Sequence, residues 1–340
     1  MAKWVTTAEQ RNGLYVAVIT GGRPLLKQRP TNLLLASLRE AGFRNPEWIV
    51  NDRDAPRYES DGLSPLNVYT HTWAYDYARE HWLNIDLPIS DGFYGAFPGR
   101  EWAARQAEAA GCWGVLQLDD NILSGLGFLR NTAAGCKLIR DNGGLGLFAD
   151  LLSALSLSTN VRMMGAQLSA VIPSEKESGV LIRPGFPYSC FIEKTGEGRA
   201  SWLGPFEEDI QQAFQYGDRA DGDTAAVAPL LTYRKEHASK TGMRSDRGAT
   251  RAVALQRLNP QGASIGVRAT RSNGKGGPRV FHTMRSGAIR NPVRVHDPIL
   301  YGAARDRVQV LRSEWYALEL EANREKVRKR AESYARKQEK

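Results

Sequence analysis

The strongest constraint on the fold lies between residues 15 and 52, where a strand, a helix and a second strand follow at close spacing. Tyr15-Val16-Ala17-Val18-Ile19-Thr20 is a short apolar run rich in β-branched residues, stopped by Gly21-Gly22-Arg23-Pro24. That pattern is a buried strand leading into a turn. After Pro30, Thr31 is placed to cap a helix in which Leu33, Leu34, Leu38 and Ala41 share a face, with Gly42 as its stop. Glu47-Trp48-Ile49-Val50-Asn51-Asp52 then reads as a second strand. Strand, helix and strand at this spacing form a βαβ unit. A βαβ unit implies a parallel α/β sheet with ligands at the carboxyl ends of its strands.

Downstream, residues 53–97 are irregular and aromatic (Tyr69, Trp73, Tyr75, Tyr77, Trp82, Phe93, Tyr94, Phe97) and are expected to be part helix, part loop. A helix is predicted over Arg100–Ala110, entered after Pro98-Gly99 and left at Gly111. Gly114-Val115-Leu116-Gln117-Leu118 is the next strand and runs directly into Asp119-Asp120-Asn121. A helix over 145–157, strands near 161–172 and 180–194, and a helix from Phe206 to about Tyr216 follow. Past residue 231 the pattern thins into Gly-, Asn- and Arg-rich sequence. From about Pro298 a final helix is predicted, its last part too polar to be buried.

The 340 residues, 42% of them apolar, are enough for a sizeable core. No apolar run approaches the roughly 20 residues that cross a bilayer. The N-terminus carries no signal-like apolar segment, so a cytoplasmic protein is expected. Cys112, Cys136 and Cys190 lie far apart with no C-x-x-C pair, which argues against a disulfide framework or a cysteine zinc site. The net charge of +9 is uneven: residues 231–340 hold 25 Lys and Arg against 10 Asp and Glu. Between Asp246 and Asp297 no acidic residue occurs. Such a block suits a phosphate-bearing partner or a solvated basic surface.

An apolar strand ending in Asp119-Asp120-Asn121 places hard oxygen ligands at the sheet edge. There a divalent ion can bridge the phosphates of a nucleotide, or the acidic pair can simply cap the next helix. Thr20, Gly21 and Gly22 end the first strand, where backbone amides can approach a phosphate, and Arg23 is a candidate diphosphate partner. Asp52 ends the second strand, and Arg100 opens the helix before the triplet. A second acidic cluster, Glu207-Glu208-Asp209, follows Trp202-Leu203-Gly204-Pro205-Phe206. It suits a carboxylate base for an acceptor hydroxyl, or a helix start enriched in acids for the macrodipole. Near residue 237, His237 is a candidate metal ligand, with Lys240 and Arg244 as candidate phosphate contacts.

Taken in order, these residues resemble the GT-A fold of glycosyltransferases over roughly residues 12–240, with a basic, partly helical region over 241–340. The resemblance implies a Rossmann-like α/β domain with a mainly parallel central sheet. The triplet falls at that family's Asp-x-Asp position, with Asn121 where an Asp is usual. The Trp202–Asp209 stretch is similar to the family's Trp-Gly…Glu-Asp segment, with Pro205-Phe206 intervening. It implies Asp209 and Glu208 as catalytic residues and Thr20, Gly21, Gly22, Arg23, Asp52, Arg100, Asp119 and Lys240 as nucleotide-sugar contacts. Asp120, Asn121 and His237 would be metal ligands for Mn²⁺ or Mg²⁺, with a UDP-sugar as donor.

The basic stretches Gly242–Gly248 and Arg257-Leu258-Asn259-Pro260 look like those of the TET-associated glycosyltransferases of bacteriophages. That narrower resemblance implies transfer onto the hydroxyl of 5-hydroxymethylpyrimidines in DNA, with no membrane partner. Arg244, Arg247, Arg251, Arg257, Arg268, Arg271, Lys275 and Arg279 would contact the DNA. The aromatic 69–97 segment is the expected wall for a flipped base. Two other readings stand beside it: transfer to a surface glycan or small acceptor, and a non-catalytic DNA-binding protein on a degenerate transferase fold.

Overall fold

The computed structural model describes residues 4–22, 28, 30–83, 89, 95–132, 135–140, 144–168, 180–236, 248–268, 279–285 and 287–338; within these, the side chains of Pro30, Leu33, residues 124–140, Arg268, Arg279, Glu319 and residues 333–338 are not described. The elements run α1 (Ala8–Asn12), β1 (Leu14–Ile19), α2 (Pro30–Glu40), β2 (Glu47–Asn51), α3 (Ala55–Ser60), β3 (Leu66–Tyr69), α4 (His71–Glu80) and α5 (Phe97–Ala109). There follow β4 (Gly114–Asp119), β5 (Ile122–Thr132), β6 (Gly135–Arg140), α6 (Gly144–Leu157), β7 (Val161–Leu168), β8 (Arg183–Pro184) and β9 (Cys190–Lys194). The chain ends with α7 (Glu208–Gly217), β10 (Thr224–Lys235), α8 (Gly248–Leu258), β11 (Ala263–Arg268), β12 (Arg279–Met284) and α9 (Pro298–Gln338).

The expected α/β class with a mainly parallel central sheet is what forms. The large sheet has the order β3-β2-β1-β4-β9-β7-β10-β5-β6, with β8 beside β10. β3, β2, β1, β4, β7, β10 and β6 point one way, and β9, β5 and β8 the other. Because β1 lies between β2 and β4, the chain reverses its direction of travel across the sheet after β3. A crevice opens at the carboxyl ends of β1 and β4, where ligands settle in open α/β sheets.

Burial on both faces explains the apolar runs. Val16 and Val18 of β1 face one core with Leu35, Leu38, Phe148 and Leu152 of α2 and α6, and with Ala304 and Val308 of α9. Tyr15, Ala17 and Ile19 face the other, against Ala103, Ala104 and Ala107 of α5. Small residues let α5 lie close to the sheet. Thr31 is not the expected cap: it sits inside α2, fully buried. Its hydroxyl accepts from the Ile122 amide at 2.8 Å, tying α2 to the turn after β4.

Several elements differ from expectation. The segment predicted as a strand over 180–194 divides into β8 and β9, around a turn in which Ser189 has φ +56°. The hairpin β5–β6 and the long strand β10 were not predicted. The thin pattern past 231 contains α8 and a two-stranded sheet, β11–β12. Residues 169–172 of one expected strand lie outside the described residues. Among the described residues no helix is long and apolar enough to cross a membrane.

Candidate active site

The site is built on strand ends. In register, Ile19 of β1 pairs with Ile49 of β2 and with Asp119 of β4, so Thr20 and Asp120 follow one another across the crevice. Thr20 Oγ1 donates to Asp120 Oδ2 at 2.7 Å, with both residues buried. Gly22 (φ +65°) holds a left-handed turn that glycine adopts without strain. Its amide donates to Asp54 Oδ2 at 2.8 Å; Asp54 was not among the predicted residues. Asp52 is exposed and accepts from the His71 amide at 2.9 Å, which secures the start of α4.

Asp119 sits between two cations. Arg100 Nη2 donates to its Oδ1 at 2.9 Å, and Lys235 Nζ, from the end of β10, donates to its Oδ2. Lys235 also donates to Ser189 Oγ at 2.6 Å. Burial pushes the Asp119 carboxyl upward, but Lys235 and Arg100 outweigh it and hold the group well below the usual carboxylate range. Lys235 was not among the predicted residues. Its signal was a lone Lys at the end of a strand whose partner lies 116 positions away.

Arg100, 3% exposed, joins this edge to the second acidic cluster: its Nε donates to Glu208 Oε1 at 3.2 Å. The guanidinium lies over the rings of Phe191 and Trp202, 5.4 and 5.5 Å from their centroids. Trp202 is oriented in turn by its Nε1–H bond to the buried Glu193, at 2.9 Å, which also receives Gln212 and Tyr216. Arg100 Nη1 is buried and has no hydrogen-bond partner among the described residues.

Glu208 and Asp209 open α7, where the acids were expected to lie, although the helix begins two residues later than predicted. Glu207 holds a left-handed conformation (φ 52°, ψ 41°) immediately before it. Asp209 is pushed up to about 7 by its burial, then by the neighbouring Glu208 charge, against the opposing pull of Arg100; Glu207 and Asp119 add to the rise. Arg100 and Lys235 pair with Asp119 and Glu208, and among the described residues Asp209 has no ion pair of its own.

Whether a divalent ion fits is tested by Asn121. Its Nδ2 donates to the Glu236 carbonyl at 3.4 Å, and its Oδ1 is buried with no hydrogen-bond partner among the described residues. A neutral oxygen oriented in this way suits a hard cation; Glu236, whose carbonyl Asn121 holds, is next in sequence to His237, which lies outside the described residues. Among the described residues no group of three or more His, Cys, Asp or Glu could hold an ion. An ion here would take its other ligands from phosphate and water, as Mg²⁺ does.

The remaining predicted residues separate. Arg23, Lys240, Arg244, Arg247, Arg271 and Lys275 lie outside the described residues. Arg268 and Arg279 occupy directly paired positions in β11 and β12. Arg257 is exposed on α8, whereas Arg251 is turned inward, its Nη2 donating to Glu207 Oε1. Of the aromatic segment, Tyr69, Tyr77 and Phe97 are core residues, and Trp73 stacks on Tyr77 and meets Trp102 edge-on. Those rings are used in packing and do not form the expected wall; Phe93 and Tyr94 lie outside the described residues.

No family model matches the chain, and no curated protein matches it. Solved structures are similar, among them two crystal structures. One is a crystal structure of a mycobacterial protein, 13% identical with a TM-score of 0.45, covering 84% of this chain and 89% of that one. The other is glucosyl-3-phosphoglycerate synthase from Mycobacterium tuberculosis in complex with Mn²⁺, UDP and phosphoglyceric acid. It is 9% identical with a TM-score of 0.46, covering 84% of this chain and 92% of that one. At these levels neither assigns a role to any residue, and the functional argument rests on the geometry.

Proposed function

We propose that the chain is a glycosyltransferase that moves a sugar from a nucleotide donor to an acceptor hydroxyl. The observation that carries this is Arg100, which joins the strand-end carboxylate Asp119 to the start of α7, beside Asp209. The donor diphosphate lies in the β1–β4 crevice, against Thr20 to Gly22 and toward Lys235 and the unused Nη1 of Arg100. Asp209 accepts the acceptor hydroxyl proton as that oxygen bonds to the anomeric carbon. The bond from that carbon to the diphosphate oxygen breaks, and its electron pair leaves with the diphosphate. Asn121 and Asp120, with His237 next in sequence to the Glu236 that Asn121 holds, would hold a divalent ion, which when bound supplies Lewis-acid neutralisation of the leaving group.

The acceptor we favour is a hydroxymethylated pyrimidine in DNA. Support comes from the acid-free stretch between Asp246 and Asp297 and from Arg268 and Arg279 at paired positions of one hairpin. The test is to incubate the protein with UDP-sugars, Mn²⁺ or Mg²⁺, and hydroxymethylated or unmodified DNA, then digest and weigh the nucleosides. A hexose-sized mass gain confined to the modified base is expected, and Asp209→Asn should abolish it. No gain on any modified DNA removes this acceptor; retention of the gain in Asp209→Asn removes the base.

A further inference from the structure

The C-terminal part of the chain touches the turn from which the candidate base emerges. Ile210 of α7 packs with Leu255 of α8 and Ala263 of β11, with Phe214 and Met284 against them. Asn259 Nδ2 donates to Gln211 Oε1 at 3.0 Å across the same boundary. At its centre is Glu207. Its carboxylate receives Arg251 of α8, and His282 Nδ1 of β12 lies 3.6 Å away. Both members of the Arg251–Glu207 pair are about nine-tenths buried, with side chains 11% and 9% exposed. Glu207 is one of only two non-glycine residues with positive φ among the described residues. A carboxylate in that conformation, one residue before the helix, needs a fixed partner to hold it.

We infer that Arg251 is a positioning residue: by holding Glu207 it fixes the turn that presents Glu208 and Asp209 to the site. The basic region is then part of the acceptor side of the active site, and α8 links its placement to that of the base. The inference rests on the proposed transfer for its kinetic consequences, but not for its structural one.

The charges around Asp209 are Glu208 and Glu207 on its own turn, Arg100 from α5 and Asp119 from β4; those around Glu207 are Arg251 from α8 and His282 from β12. Removing Arg251 leaves the Glu207 charge uncompensated and favours the proton on Asp209. Replacing Glu207 by Gln does the reverse, because Arg251 stays charged.

The experiment compares full-length wild type with Arg251→Ala, Arg251→Lys and Glu207→Gln. Hydrogen exchange over 208–217, measured without ligand, is expected to quicken about tenfold in Arg251→Ala and to return toward wild type in Arg251→Lys. With UDP-glucose, Mn²⁺ and hydroxymethylated DNA, kcat should fall about 10- to 100-fold in Arg251→Ala, with donor KM nearly unchanged. The acidic limb of kcat/KM should move up in pH in Arg251→Ala and down in Glu207→Gln. Unchanged exchange over 208–217 in Arg251→Ala overturns the inference, and so do limbs that move the same way in both variants. Faster exchange throughout the chain of Arg251→Ala, without recovery in Arg251→Lys, also overturns it by showing a merely structural role. If wild type transfers nothing, the proposed transfer from UDP-glucose to hydroxymethylated DNA fails, and the exchange comparison still decides the role of Arg251.

Discussion

Asp209 carries the site's pH dependence. Its carboxyl is raised to about 7 in the folded chain, against an ordinary value of about 3.9 in an unfolded one. A base must be ionised, so kcat/KM should rise with pH through about 7 and level off above it. The stability consequence has the opposite sign. Holding the ionised group costs folding free energy above pH 7, and that cost is relieved as the pH falls from about 7 toward 4. Asp209→Asn should therefore raise Tm at pH 8 and leave it nearly unchanged at pH 4. A melting scan at the two pH values checks this. Arg100 gives a second prediction at this scale. Arg100→Lys keeps the charge, but an ammonium cannot reproduce the separate Nε and Nη2 bonds to Glu208 and Asp119. Turnover should fall by about 10²-fold, with the fold intact by circular dichroism.

The elements explain why these residues meet. The βαβ unit at residues 15–52 was legible because β1 and β2 are continuous apolar runs and the glycine stop lies just beyond α2. The triplet at the end of β4 was legible for the same reason. β10 was not legible: its buried Ala- and Leu-rich run, interrupted by Pro229, carries no two-residue alternation because both of its faces are covered. With β10 hidden, Lys235 at its end was hidden too. Packing between elements makes its own prediction at Gly146, where α6 crosses α2. A Cβ there would fall 2.3 Å from the Ser37 carbonyl oxygen. Gly146→Ala should cost about 1–3 kcal/mol of stability by forcing the helices apart, visible as a lower urea midpoint. The effect on donor binding should be small, because the contact lies on the face of the sheet away from α5 and α7.

Over the whole molecule, charge is divided between a mildly acidic first part and a basic last third. α9 shows the division most clearly. Ala304, Val308 and Leu311 are buried against the core, while Leu318 and Val327 are more than 60% exposed. The stretch 319–340 holds eight Lys and Arg and five Asp and Glu. Removing it should leave Tm within about 1 °C, since surface changes usually cost under about 0.5 kcal/mol. If that stretch meets phosphate, the truncated chain should bind DNA more weakly and with a shallower dependence on salt. Titration of both chains at two ionic strengths is the check. The sequence by itself determined the sheet class, the strand ends at Thr20, Asp52 and Asp119, and the charge asymmetry. Each is written in local spacing or composition, which a single pass along the chain records. Only the tertiary structure decided that Lys235 and Arg100 share Asp119, that Asp209 is buried beside Glu208, and that Arg251 turns inward to Glu207. These are pairings across 19 to 116 positions. Their strength comes from burial, which no local pattern contains.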